Sequence, residues 1–248
     1  MSAVIQDVNQ GDAVATPKRA TSWGRKLRRF LLGVIALLLV SGVVAHFAFV
    51  YSGSSKWELM SDTNGVKVYS MKIPGQSLEK FLAVFKVKST LGAMTTFMQD
   101  YDAKLDVNFY GGKELQRHGP QATVTTWKGG FPAPFKDRDF VSRNIFIQDP
   151  QTKSVLYVLQ ALPDLTPTDD CCVRVRRSEN TWLLTPQKNG EIEVRWTIDM
   201  DLGGALPYII ANLAHPDMMA FFAAKMQGYL ERPKYINAKA DWLVEPTP

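Results

Sequence analysis

Residues 191–202 read Glu-Ile-Glu-Val-Arg-Trp-Thr-Ile-Asp-Met-Asp-Leu. Glu191, Glu193, Arg195, Thr197, Asp199 and Asp201 alternate with Ile192, Val194, Trp196, Ile198, Met200 and Leu202. A period of two over this length is a long strand with one wet face and one buried face. The turn residues Lys188-Asn189-Gly190 stand just before it, so the preceding run, 173–184, is expected to return beside it as a hairpin. Further upstream, 66–71, 81–88, 107–116, 122–128, 139–147 and 154–161 carry the same apolar and β-branched character between turn signals. The pattern predicts one large antiparallel sheet.

Two segments carry a helical period instead. Residues 90–101 place Leu91, Met94, Phe97 and Met98 on one face, after a possible cap at Ser89. Residues 207–231 open on Pro207, which suits a first helical position. Met219, Phe222, Ala223, Met226 and Leu230 then form a single apolar stripe. Pro216 lacks an N–H and is expected to kink or restart this helix. The fold class is therefore α+β, a long antiparallel sheet with one internal helix and a long C-terminal helix pressed against it.

The chain has 248 residues, 46% of them hydrophobic and 21% charged, which excludes wholesale disorder and a multi-span membrane protein. Two cysteines exclude a disulfide scaffold and a four-cysteine zinc site. The formal charge of +5 is concentrated at the N-terminus, where Lys18, Arg19, Arg25, Lys26, Arg28 and Arg29 face only Asp7 and Asp12. The remainder is close to neutral and has no global field for a polyanion, so no nucleic-acid partner is expected.

Residues 30–51 contain no Lys, Arg, Asp or Glu. As a helix this segment reaches about 33 Å, enough for a hydrocarbon core of roughly 30 Å. A cleaved signal peptide is the alternative, but its apolar region is usually about 7–15 residues. The basic cluster before the span predicts a cytoplasmic N-terminus and an extracytoplasmic domain, periplasmic if the source is bacterial. The expected organisation is a disordered basic tail at 1–29, a single-pass anchor at 30–51, a short linker at 52–56, one domain at 57–235 and a tail at 236–248.

Catalytic chemistry is sparse. His118 and His215 belong to no metal or triad pattern, and no nucleotide loop or nucleophile elbow is present. Neither a metal nor a cofactor is expected. Adjacent Cys171 and Cys172 are read as free thiols, because a disulfide between neighbours is strained. Asp137-Arg138-Asp139 could form a carboxylate pair, although an Arg bracketed by two acids at a strand start is commonly structural.

The ordered motifs resemble one family. Trp57, then Gly65-Val66-x-Val68-Tyr69 and Pro74-Gly75, looks like the opening of a START (StAR-related lipid-transfer) domain. A Pro-rich loop followed by Asp137-Arg138-Asp139-Phe140-Val141 is the family's most recognisable element. Ser178, Trp182, Thr185-Pro186 and Gly190 follow, and Gly203-Gly204-x-Leu206-Pro207 leads into the last helix. The resemblance spans roughly residues 57–232. It implies a helix-grip fold in which the sheet wraps the C-terminal helix around a tunnel for one lipid, with no cofactor and usually no chemistry. Cyclase-like enzymes of the wider superfamily and lipid-sensing partner modules are the alternatives.

If that holds, buried faces of the strands and the last helix should line the tunnel. The candidates are Phe85, Trp127, Trp196, Ile198, Met200, Met219, Phe222 and Met226, with Ser142 and Asn144 as polar contacts. Each of the apolar ones can equally be plain core. Phe131 and Phe135 in the loop 129–135, with Ile209, Ile210 and Leu213 on the last helix, are candidates for a gate at the bilayer. In some sterol-carrying relatives an acid and an arginine face each other in the tunnel. Here those positions fall at Asp100 and Asn144, so the pair is not reproduced. Strand parity puts the neighbouring Arg143 on the opposite face from Asn144.

Overall fold

The computed structural model describes residues 22–103 and 108–246. Most of the expected N-terminal tail, the first residue of the run 107–116 and the last two residues of the chain lie outside them. The chain forms two compact units, Met1–Ala48 and Phe49–Pro248. In the first, helix α1 (Ser22–Tyr51) starts eight residues before the apolar run, because the basic segment continues the same helix. Its large apolar side chains are exposed all round, Leu37, Leu38 and Leu39 among them. A helix apolar on every side and covered by no protein has the length and composition of a membrane span.

The second unit is built on ten strands. They are β1 (Glu58–Thr63), β2 (Val66–Met71), β3 (Lys80–Lys88), β4 (Phe109–Arg117), β5 (Ala122–Gly129), β6 (Asp137–Gln148), β7 (Val155–Ala161), β8 (Cys172–Arg174), β9 (Arg177–Pro186) and β10 (Glu191–Asp201). Nine of them pair in the order β1-β2-β3-β10-β9-β7-β6-β5-β4. The alternation read at 191–202 is realised residue by residue. Ile192, Val194, Trp196 and Ile198 are buried on β10, while the intervening polar residues face out. Two corrections apply to the sheet. The run 173–184 is two strands, because the chain turns at Val175 and Arg176. Its first part, β8, runs parallel to β6 with Cys172 beside Asp137, so the sheet is not wholly antiparallel. Strand β1, too polar on both faces to show a pattern, also joins the edge.

Helix α2 (Leu91–Gln99) is capped by Thr90, not Ser89, through a bond from the Ala93 N–H to Thr90 Oγ1. Helix α3 (Tyr208–Leu230) runs through Pro216 without a restart. Proline removes one backbone bond there, and the flanking turns are held by burial of Ala211, His215, Met219 and Phe222. Both helices share one core with the inner face of the sheet. Phe222 contacts Trp182, Trp196, Phe97 and Tyr229 through ring pairs spaced 5.4–6.4 Å apart. Beyond α3, Trp242 and Leu243 pack on that core, and Glu245 accepts the Leu91 and Gly92 N–H groups at the start of α2. The segment at 52–56 is also tied down, by the bond from the Ser55 N–H to the Lys72 carbonyl.

Candidate functional site

A small cavity of about 20 Å³, partly open to solvent, lies between α2 and strands β4 to β7. Its wall is built by strand register. Thr123 faces Asn144 across β5 and β6, Thr125 faces Ser142, and Trp127 faces Phe140. Thr123, Thr125, Trp127 and Asn144 line the cavity, with Tyr157 and Leu159 from β7. Met98, Gln99 and Tyr101 close it from α2 and the segment that follows, and Phe109, Tyr110 and Gly112 close it from β4.

The register produces a polar patch between two aromatic stacks. Asn144 Nδ2 donates to Thr125 Oγ1 at 2.8 Å and reaches Thr123 Oγ1 at 3.4 Å. Ser142 Oγ donates to Asn144 Oδ1 at 3.0 Å. Trp127 stacks on Phe140 with centroids 3.7 Å apart, and Phe146 stacks on Tyr157 at 4.1 Å. Tyr101 is hydrogen-bonded to Thr123, and its burial pushes the phenol above its ordinary value, so it remains an O–H group at neutral pH. Burial likewise pushes Tyr157 up.

The structure divides the sequence candidates. Trp127 and Asn144 line the cavity, and Ser142 supports Asn144 from behind. Phe85, Trp196, Ile198, Met219, Phe222 and Met226 sit in the main core, filled by their own rings and thioethers. Met200 bridges that core to a smaller cluster of Phe140, Val175 and Leu202. Sequence reasoning missed Thr123, Thr125, Tyr101 and Tyr157. The alternation of Thr123, Thr125 and Trp127 along one face was the available signal, but the register against Asn144 is a property of the folded pair.

The gate candidates also differ among themselves. Ile209, Ile210 and Leu213 are 55%, 45% and 72% exposed on the first turns of α3. Phe131 instead packs on the smaller cluster, with the Arg138 guanidinium 4.5 Å from its ring centre. Phe135 is half-buried.

Asp137, Arg138 and Asp139 are spent on holding loops. Asp137 accepts from the Phe131 N–H and the Tyr110 hydroxyl. Arg138, buried, donates to the Leu202 and Gly203 carbonyls. This fixes the Gly203-Gly204 turn, whose positive φ values of 65° and 68° suit glycine. A Cβ on Gly204 would lie 3.2 Å from Val173. Asp139 is paired with Arg174, both nearly fully buried, and Arg174 also donates to the Thr166 and Pro167 carbonyls. The cysteines are a correction: Cys171 and Cys172 form a disulfide. The turn in which the Cys172 N–H bonds the Asp169 carbonyl brings both sulfurs to one side.

The comparisons agree with this architecture. An uncharacterized protein of Pseudomonas aeruginosa is 24% identical over 174 residues, covering 68% of this chain and 86% of its own length. The crystal structure of a STAR-related lipid transfer protein from Xanthomonas axonopodis matches with a TM-score of 0.65 at 20% identity, over 71% of this chain and 99% of that one. Human StAR-related lipid transfer protein 5 matches with a TM-score of 0.63 at 18% identity, over 80% of this chain and 98% of that one. At these identities the two structures speak for the helix-grip fold alone. The START domain model matches residues 45–234, most of the chain and all of the strands described above, and the chain therefore belongs to the START domain family.

Proposed function

We propose that the domain binds a single lipid in its interior and carries or presents it at the membrane that holds α1. Family membership supports lipid binding in general. The observation that carries the reading for this chain is the lining of the small cavity, aromatic walls for an apolar body and the Asn144–Thr123–Thr125 patch for a polar end, and admitting a lipid requires these walls to move apart. A lipid monomer in water costs about 0.8 kcal/mol per exposed CH₂ group, and enclosure removes that cost. Binding and release need no covalent step, and no enzymatic role is proposed.

The gate reading rests on α3. Phe49, a residue of the apolar run, stacks on Tyr208 with centroids 5.3 Å apart. The Val50 carbonyl accepts from Lys72 and from the Gly75 N–H. Phe49 and Val50 therefore pack beside the first turn of α3, where Ile209, Ile210 and Leu213 stand exposed. In this reading these three exposed side chains contact a bilayer, where apolar groups promote lipid exit and entry.

The test is lipid transfer by the full chain between donor and acceptor liposomes. Ile210→Asp with Leu213→Asp should slow transfer at least fivefold while leaving the amount of co-purified lipid unchanged. Unchanged transfer would remove the gate, and purification without any bound lipid, even after incubation with mixed lipids, would remove the function.

A further inference from the structure

The cavity is amphipathic without being charged. Among the described residues no Lys, Arg, Asp or Glu lines it. Each charged group near it is occupied elsewhere. Arg143 points to the opposite face of β6 and is exposed, while Asn144 is buried. Asp100 accepts from Lys234 and from the Tyr235 hydroxyl, which together outweigh its burial and hold its carboxyl below the usual range. Asp139 is bound to Arg174, and Arg117 to Glu114.

A phosphate or carboxylate buried against this wall would find no cation among the described residues, and an unpaired buried charge costs several kcal/mol. A hydroxyl, by contrast, is matched in both directions. Asn144 Oδ1 has two acceptor positions and Ser142 fills one. Thr123 Oγ1 is bonded to Tyr101 and accepts from Asn144 only at the long distance of 3.4 Å, so it retains acceptor capacity for one more group. The patch thus offers an acceptor and hydroxyl partners at one spot.

Resting on the lipid-binding reading above, we propose that the buried polar end of the ligand is an uncharged hydroxyl: the domain selects hydroxyl-bearing neutral lipids against lipids whose head carries a phosphate or carboxylate. Selection works by exclusion as much as by attraction, since the wall penalises charge and rewards a group that both donates and accepts.

The full chain in a non-ionic detergent is incubated with an equimolar mixture of oleyl alcohol, monooleoylglycerol, oleate and dioleoylphosphatidylglycerol, and bound lipid is read by native mass spectrometry. One neutral adduct per chain, at least tenfold over either charged lipid, is the expected result. Thr123→Val, which keeps shape and removes a hydroxyl, should lower retention of the neutral lipid about fivefold with an unchanged melting temperature. Asn144→Leu should lower it more. Oleate or phosphatidylglycerol as the dominant adduct overturns the neutral-head assignment and leaves lipid binding standing. Equal retention by Thr123→Val overturns it as well, and no adduct from any of the four overturns both readings.

Discussion

A single side chain can carry much of a domain's response to pH. His215 lies buried on α3, its ring stacked on Phe81 with centroids 5.2 Å apart and its Nδ1 2.6 Å from the Ala211 carbonyl. Burial pushes its pKa below the ordinary 6.5, and the carbonyl contact only partly offsets this. Unfolding exposes the imidazole, which then binds a proton that the native state refuses. Native stability is therefore undiminished above pH 6.5 and falls as the pH drops below it, by at most about 1.4 kcal/mol per pH unit for one proton. Melting of the full chain in detergent should show this loss between pH 7 and 5, and His215→Gln should flatten that portion of the curve. Parallel wild-type and variant curves would show that His215 titrates alike in both states. The sequence displayed this histidine but not its state: an imidazole on an apolar helix face can be a ligand, a relay or plain core, and only the stack on Phe81 decides. Asn144 was half readable, since strand parity set it and Arg143 on opposite faces, and the structure shows that Asn144 is the buried one. Thr123 and Thr125 were not, because a threonine on a strand face is ordinary until a register sets it against an asparagine.

At the level of elements, strands with strict alternation were readable to within a residue or two, and β10 is the clearest case. What failed were features set by distant partners. Strand β8 pairs with β6 while its Arg174 holds the preceding loop by the Thr166 and Pro167 carbonyls, and β1 forms because an edge strand needs no buried face to pair. The segment after α3 is polar and Pro-containing, and so reads as a tail. In the fold it returns across α2, where Glu245 takes up two free N–H groups, 3.1 and 2.7 Å away, and places a negative charge at the helix N-terminus. Such a cap contributes about 1 kcal/mol. Glu245→Ala should therefore lower stability by about that amount, and the change should be local. Hydrogen exchange of the Leu91 and Gly92 amides should speed up while the β9–β10 ladder keeps its protection. Because α2 supplies Met98 and Gln99 to the cavity, the same variant is expected to loosen one wall of the site. Uniform acceleration across the sheet would mean that the tail supports the whole domain and not α2 in particular.

For the whole molecule the open issue is which side of the membrane the domain occupies, and two independent features bear on it. Arg25, Lys26, Arg28 and Arg29 precede the apolar run, and only Lys56 follows closely, a bias from which a cytoplasmic N-terminus is expected. The disulfide between Cys171 and Cys172 persists in an oxidising compartment and is reduced in a cytosol buffered by thiols. Charge distribution and redox state thus lead to the same expectation, an extracytoplasmic domain, by unrelated physics. The prediction is that iodoacetamide added during lysis of expressing cells labels neither cysteine until a reductant is supplied, and then labels both. A protease added to cells with a permeabilised outer surface should also degrade the domain while sparing the N-terminal tail. Immediate labelling of both thiols together with protection from protease would put the domain in the cytoplasm. The lipid it handles would then have to come from the inner leaflet, and the basic cluster would have to act on membrane phosphates instead of setting topology.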